Sequence, residues 1–190
     1  MPSVFSHPAV PMAIFTAAGN RRVPVRLFMA ALLFSVIPDL DVISFNFGIP
    51  YEHLLGHRGF FHSPVFAVLA SLAGALAYRF LRSSYWTAFS VLLVSMASNG
   101  ILDAATDGGK GIAFLAPFSA KRFFLPWQPI AVSPIGVERF FTDRGLMVMK
   151  SEIVWVWLPL VTLGLSGLLI RHVWLLRSAF SPADCVEIGD

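Results

Sequence analysis

Two short blocks of this 190-residue chain carry side chains that bind cations and hold anions. Pro38-Asp39-Leu40-Asp41 sets two carboxylates two residues apart beside a proline, and His57-Arg58-Gly59-Phe60-Phe61-His62-Ser63-Pro64 sets two imidazoles five residues apart around an arginine. Asn99 and Asp103 stand at i and i+4, one above the other on a helix, and Thr106 continues the stripe. His7 precedes a proline, and Glu152 opens an apolar run. Carboxylates and neutral imidazoles are the donors a divalent cation takes. Arg58 adds planar, bidentate donors suited to a phosphate or carboxylate. A cation beside an arginine is a common grip on a phosphoryl group.

Each block also has a plainer reading. Aspartates are common at helix ends, an arginine can anchor to lipid headgroups, and an asparagine in lipid can bond a neighbouring helix. On a regular helix Asp39 and Asp41 point about 200° apart, so both serve one site only where the backbone is irregular. Pro38 supplies a cause for that irregularity. Two histidines five apart do not share a helix face, but Gly59 permits a turn that brings His57 and His62 together.

The elements that must position these residues are apolar. The chain is 56% hydrophobic and 13% charged, with a mean hydropathy of +0.72. A soluble domain carries about 25% charged residues, so most of this surface does not face water. Four runs, 25–47, 64–81, 85–102 and 153–170, reach or approach the ~20 residues needed to cross hydrocarbon. The stretch 8–19 has 12 residues, too few to cross alone, and reads as re-entrant or half-buried. The expected fold is an all-α integral membrane protein: a single membrane-embedded domain of about four transmembrane helices plus a short N-terminal half-helix. Ser63-Pro64 reads as an N-cap followed by proline at the first helical position, and Ser6-His7-Pro8 has a similar form. The Gly- and Pro-bearing connection 104–151 reads as irregular and surface-lying, and 178–190 as a polar tail. Cys185, the one cysteine, lies in that tail and excludes an internal disulfide. The net charge of +3 is scattered, which excludes the clustered basic face of a nucleic-acid binder.

If these helices run back and forth, their ends alternate. Arg21, Arg22 and Arg26 start the first long run; Asp39 and Asp41 lie near its far end, with His57 and His62 just beyond. The second run returns to Arg79 and Arg82, the third delivers Asp103, and the fourth leads from Glu152 to Arg171 and Arg177. Four of five histidines and eight of eleven carboxylates then share one end of the bundle. Ionisable groups at membrane depth cost about 2.5–3.5 kcal/mol each on insertion scales, and a divalent cation relieves that cost by neutralising carboxylates and engaging imidazoles.

These residues, in order and spacing, resemble the YdjM-like family of bacterial inner-membrane proteins, the LexA-regulated type, described as membrane-bound metal-dependent hydrolases. The His57-Arg58-Gly59-x-x-His62-Ser63 block is the specific part, and Pro117-Phe118-Ser119 is similar to the pattern that follows the last aspartate. More distantly the family is similar to the zinc-dependent phospholipase C and P1 nuclease group. The resemblance implies His7, Asp39, His57 or His62, and Asp103 as metal ligands. It also exposes a departure: the family reads His-x-x-x-Asp where this chain has Asn99-x-x-x-Asp103. Either that position is weakened, or another residue such as His53 fills it, or this member lacks activity.

The expected function is metal-dependent hydrolysis of a phosphoester or lipid-linked substrate at the surface of a bacterial inner membrane. One or two divalent ions, zinc foremost, would be held by His7, Asp39, His57, His62 and Asp103. Arg58 would bind anionic oxygens, and Asp41 or Glu152 would act as general base. The competing reading is a non-catalytic metal-binding or ion-conducting bundle. The compact arginine cluster at the opposite end favours a cytoplasmic location there, with the site face extracytoplasmic.

Overall fold

A computed structural model describes residues 1–134 and 140–179. The elements are α1 (Ala9–Ala18), α2 (Val25–Val36), a 3-10 helix over Ile37–Phe47, a short 3-10 turn over Phe60–His62, α3 (Pro64–Ala75), α4 (Tyr85–Ala104), α5 (Asp143–Glu152), a π-helical turn over Ile153–Trp157, and α6 (Leu158–Ala179). The protein is all-α, and no strand occurs among the described residues; two isolated bridges, Thr106 with Ile130 and Ile112 with Phe123, tie the connection after α4. Of the expected polar tail, residues 180–190 lie outside the described residues.

Three helical stretches are long and apolar enough to cross a membrane: Val25–Phe47, Tyr85–Ala104 and Asp143–Ser178. The expected second span is a shorter helix here. After Ala75 the backbone tightens, with Leu76, Ala77 and Tyr78 each bonding three residues back, and Arg82 closes the turn at φ 56°. The expected fourth span starts earlier than its apolar run, because α5 and the π turn feed directly into α6. The connection 104–151 is irregular as far as the description runs, to residue 134, and becomes helical again by Asp143.

Helix ends follow local chemistry. Ser63 accepts from the Phe66 amide at 3.1 Å and Pro64 occupies the first helical position; Ser84 accepts from the Thr87 amide in the same way. Ser6 does not cap α1: its hydroxyl donates to Glu152 at 2.8 Å, and Pro8 stands at the cap without a side-chain bond. Pro38 has no amide hydrogen to continue an α-helix. The run changes to 3-10 geometry at Ile37 and keeps it to Phe47.

Small residues let these helices approach. Lipid tails are as apolar as leucine, so association depends on close backbone packing rather than on the hydrophobic effect. Ala31 of α2, Ala75 of α3 and Ala88 of α4 are fully buried in one core with Leu27, Val91 and Leu92. The half-length helix α1, about 15 Å long by its 10 residues, lies alongside α6. Gly164 meets Ala13 and Thr16 there, and Gly167 meets Ala17. Most of α6 faces outward, with Leu163, Leu169, Ile170 and Trp174 each more than 60% exposed, as suits a lipid-facing span.

The two ends of the bundle differ in chemistry. Arg26 at the start of α2 donates to the Phe80 carbonyl and lies over its ring, and Arg171 of α6 donates to the Ala17 carbonyl at the end of α1. At the other end His7, Asp39, His62 and Asp103 meet.

Candidate metal centre

Four segments deliver this cluster. His7 precedes α1, Asp39 and Asp41 sit in the 3-10 part of the first span, His57 to His62 form the loop before α3, and Asp103 lies in the last turn of α4. His7 Nε2 stands 3.3 Å from Asp39 Oδ2 and 3.8 Å from Asp103 Oδ1. His62 Nε2 stands 3.5 Å from Asp39 Oδ1 and 3.4 Å from Asp103 Oδ2. His7, Asp39 and Asp103 each offer a ligand atom within 4.8 Å of the others, the separation a bound ion requires.

A second layer orients the first. The His62 ring lies between the two aspartates of the 3-10 helix: Nε2 faces Asp39, while Nδ1 is 3.0 Å from Asp41 Oδ2. A 3-10 helix turns about 120° per residue, which puts Asp39 and Asp41 on different flanks of one imidazole. Asp41 is also held by His57 Nδ1 at 2.5 Å and by the Arg58 amide at 2.9 Å. Asn99 donates from Nδ2 to Asp39 Oδ2 and to the Ser35 carbonyl, both at 2.9 Å. The Arg58 guanidinium is fully buried, with Nε 3.2 Å from Asp103 Oδ2, Nη1 donating to Gly108 and Nη2 to Thr106.

The loop carrying the histidines is fastened from outside. Arg58, at φ 62°, is the left-handed residue, whereas Gly59 is at φ −89°; glycine is needed at 59 because a Cβ would collide with the Leu54 carbonyl. Arg122 secures the loop by donating to the carbonyls of Tyr51, His53, His57, Arg58 and Gly111. Tyr51, packed edge-on to His57, has its hydroxyl pushed up to about 12 by burial.

The donor atoms at the centre are buried and unsatisfied. His7 Nε2, His62 Nε2, Asp39 Oδ1 and both Asp103 carboxylate oxygens have no hydrogen-bond partner, and the four residues are at most 5% exposed. Orphaned buried polar atoms are rare in folded proteins and call for an explanation such as an ion. Three buried carboxylates (Asp39, Asp41, Asp103) face the buried Arg58 guanidinium, with the Met1 amino group 4.0 Å from Asp103 Oδ1, and a divalent cation in place of an imidazole proton would neutralise the same carboxylates. Two imidazoles with carboxylates form a zinc-type donor set. The residues present fit such an ion.

Residues 1–177 match the family model described as YdjM inner membrane protein. The chain belongs to this family. It is also 44% identical over 160 residues to "Inner membrane protein YbcI" of Escherichia coli (strain K12), covering 84% of this chain and 92% of that protein. No solved structure matches it. Membership in the YdjM inner membrane protein family, together with the three span-length helices, places the protein in a bacterial inner membrane.

Within this family member the expected site residues fall into three groups. His7, Asp39 and Asp103 bring ligand atoms within 4.8 Å of one another, and His62 stands beside the two aspartates of that group. Asp41, His57 and Arg58 contact that group from behind. Glu152 bonds instead to the N-terminal segment, accepting from Ser3 through its amide and hydroxyl and from Ser6. His53 is exposed and accepts from the Leu55 amide, so it does not join the buried cluster in place of Asn99. Sequence reasoning missed Arg122, whose carbonyl partners carry no side-chain signature. Asn99 makes the bond to a neighbouring helix that its plainer reading allowed, to the Ser35 carbonyl, and also reaches Asp39, a partner its spacing did not name.

Proposed function

We propose that the chain is a membrane-bound, metal-dependent hydrolase acting on a phosphoester or lipid-linked substrate at the membrane surface. The carrying observation is the set of buried, unpartnered donors on His7, Asp39, His62 and Asp103. When bound there, a divalent ion such as zinc supplies Lewis acidity and lowers the pKa of water toward ~7. His7 and His62 present neutral Nε2 atoms, and Asp39 and Asp103 provide the charge. Asp41 fixes the His62 ring through Nδ1, and His57 fixes Asp41, the carboxylate–histidine arrangement that orients metal ligands. Arg58 acts on Asp103 and Thr106, since its guanidinium is turned into the protein. Asp41 and Glu152 are each held by several donors, which makes them positioning groups. Asp39 Oδ1, without a hydrogen-bond donor and 3.5 Å from His62 Nε2, is among the atoms that would face such an ion. The position of Asp103 at the end of one span and of Asp39 within another supports a substrate with a lipid portion.

A second reading, a non-catalytic metal-binding bundle, is favoured by the near-complete burial of the donors, because structural sites are closed whereas catalytic ones keep an open position. Metal analysis of the purified chain, followed by turnover on a panel of soluble and lipid phosphoesters, separates the two. The hydrolase predicts stoichiometric divalent metal and a rate abolished by Asp39→Ala and His62→Ala. Bound metal without turnover on any member supports the structural reading, and absence of metal refutes both.

A further inference from the structure

The arginine-bearing end of the bundle contains a cavity of about 620 Å³ lined in part by Asn20, Arg21, Arg22, Arg171, Trp174 and Leu175. No carboxylate pairs with Arg21, Arg22 or Arg171 among the described residues; the arginine and lysine ion pairs of those residues are Arg58 with Asp103, Lys110 with Glu52 and Arg144 with Asp107, none of which lines this cavity. Nearby Arg26 and Arg79 are engaged differently, on Phe80 and Tyr78.

The cavity is a built feature of the helix packing. Arg171 Nη1 donates at 3.1 Å to the Ala17 carbonyl, closing the end of α1 and holding the guanidinium at the cavity wall. Gly19, at φ 74°, makes room for it, because a Cβ at that position would collide with Nη1. The remaining donors of Arg171 have no protein partner among the described residues. One wall is therefore cationic. The other is apolar and open: Trp174 is 63% and Leu175 47% exposed on a span. Basic pockets between transmembrane helices hold anionic lipid headgroups, with the phosphate against the guanidiniums and the chains along the helix.

We infer that this cavity binds the phosphate of an anionic phospholipid, such as phosphatidylglycerol, through Arg21, Arg22 and Arg171. The inference is independent of any chemistry at the metal centre. It takes a phospholipid rather than free phosphate because the apolar wall would accommodate acyl chains.

The test is native mass spectrometry of the full chain in detergent, titrated with phosphatidylglycerol and with phosphatidylethanolamine of identical chains. Phosphatidylglycerol should be retained preferentially, and Arg21→Gln with Arg22→Gln should weaken it about tenfold or more. Arg21→Lys with Arg22→Lys should restore most of it, and Arg79→Gln with Arg82→Gln should leave it unchanged. The unfolding temperature without lipid verifies that each variant is folded. Equal retention of the two lipids, or an equal loss in the Arg79/Arg82 variant, overturns the assignment. Displacement of the lipid by millimolar inorganic phosphate would show a free-anion site and overturns it too. So does selectivity that emerges only after Asp184, Glu187 and Asp190 are changed to their amides, which would make the tail the occupant.

Discussion

Asp39 and Asp41 are two residues apart in the chain and do different jobs in the site. Asp39 reaches His7, His62 and Asn99 on the inner side, whereas Asp41 holds the outer nitrogen of His62 and is itself held by His57. Asp39→Ala should therefore abolish metal retention, while Asp41→Asn should weaken it by about 10–100-fold; metal titration of the chelated protein compares them. Asn99→Leu removes the donor shared by Asp39 and the Ser35 carbonyl. Leaving buried acceptors unpaired costs about 1–3 kcal/mol, seen as a lower unfolding temperature together with weaker metal binding. His62 supplies the pH dependence. Burial pulls its pKa down, but Asp103, Asp39 and Asp41 outweigh burial and hold it well above 6.5. In metal-free protein the stability from this pairing is complete below 6.5 and is lost as pH rises through the raised value. A cation must displace that proton, so metal affinity should rise with pH across the same window. An affinity that does not change with pH would place His62 outside the ligand set.

At the scale of elements, the site depends on two helix starts. Ser63 caps α3 directly after His62, so Ser63→Ala should cost about 1 kcal/mol and loosen the histidine's anchorage, measurable by thermal unfolding. His7 stands at the other start, on a helix too short to span, whose position is set by α6. A Cβ at Gly167 would come within 2.5 Å of Ala17 Cβ, so Gly167→Leu wedges the two helices apart. Overpacking of this kind costs about 1–3 kcal/mol, and the displaced His7 should lower metal affinity although residue 167 touches no ligand. Unchanged metal affinity in a folded Gly167→Leu protein would show that α1 is held by other contacts.

Across the whole molecule, the helix ends sort by charge: the carboxylates and imidazoles of the centre at one end, Arg21, Arg22, Arg26 and Arg171 at the other. Short, compact basic segments favour the cytoplasmic side, so a reporter fused after Asp190 should register the cytoplasm. A periplasmic signal would turn the candidate metal centre to the cytoplasmic face instead. Alternation of helix ends was legible in the sequence because each apolar run must cross or return, and the polar residues can only gather where runs end. Membrane residence followed from composition for the same reason: with 13% charged residues there is too little polar surface to face water.

What the sequence determined alone was therefore the class of fold, the partition of polar residues between two ends, and the residue types gathered at one of them. The tertiary structure decided which of those residues face each other. Asp39 and Asp41 take different flanks of His62 because the backbone turns to 3-10 geometry after Ile37, and a proline indicates a break without giving its shape. Arg58 faces Asp103 rather than an open surface, and Glu152 serves Ser3 and Ser6 rather than the centre. Arg122 binds five carbonyls from two stretches of chain, 51–58 and Gly111, an interaction made with backbone atoms that every residue carries alike. Spacing encodes which side chains share an element; only packing of the elements decides which atoms come within bonding distance.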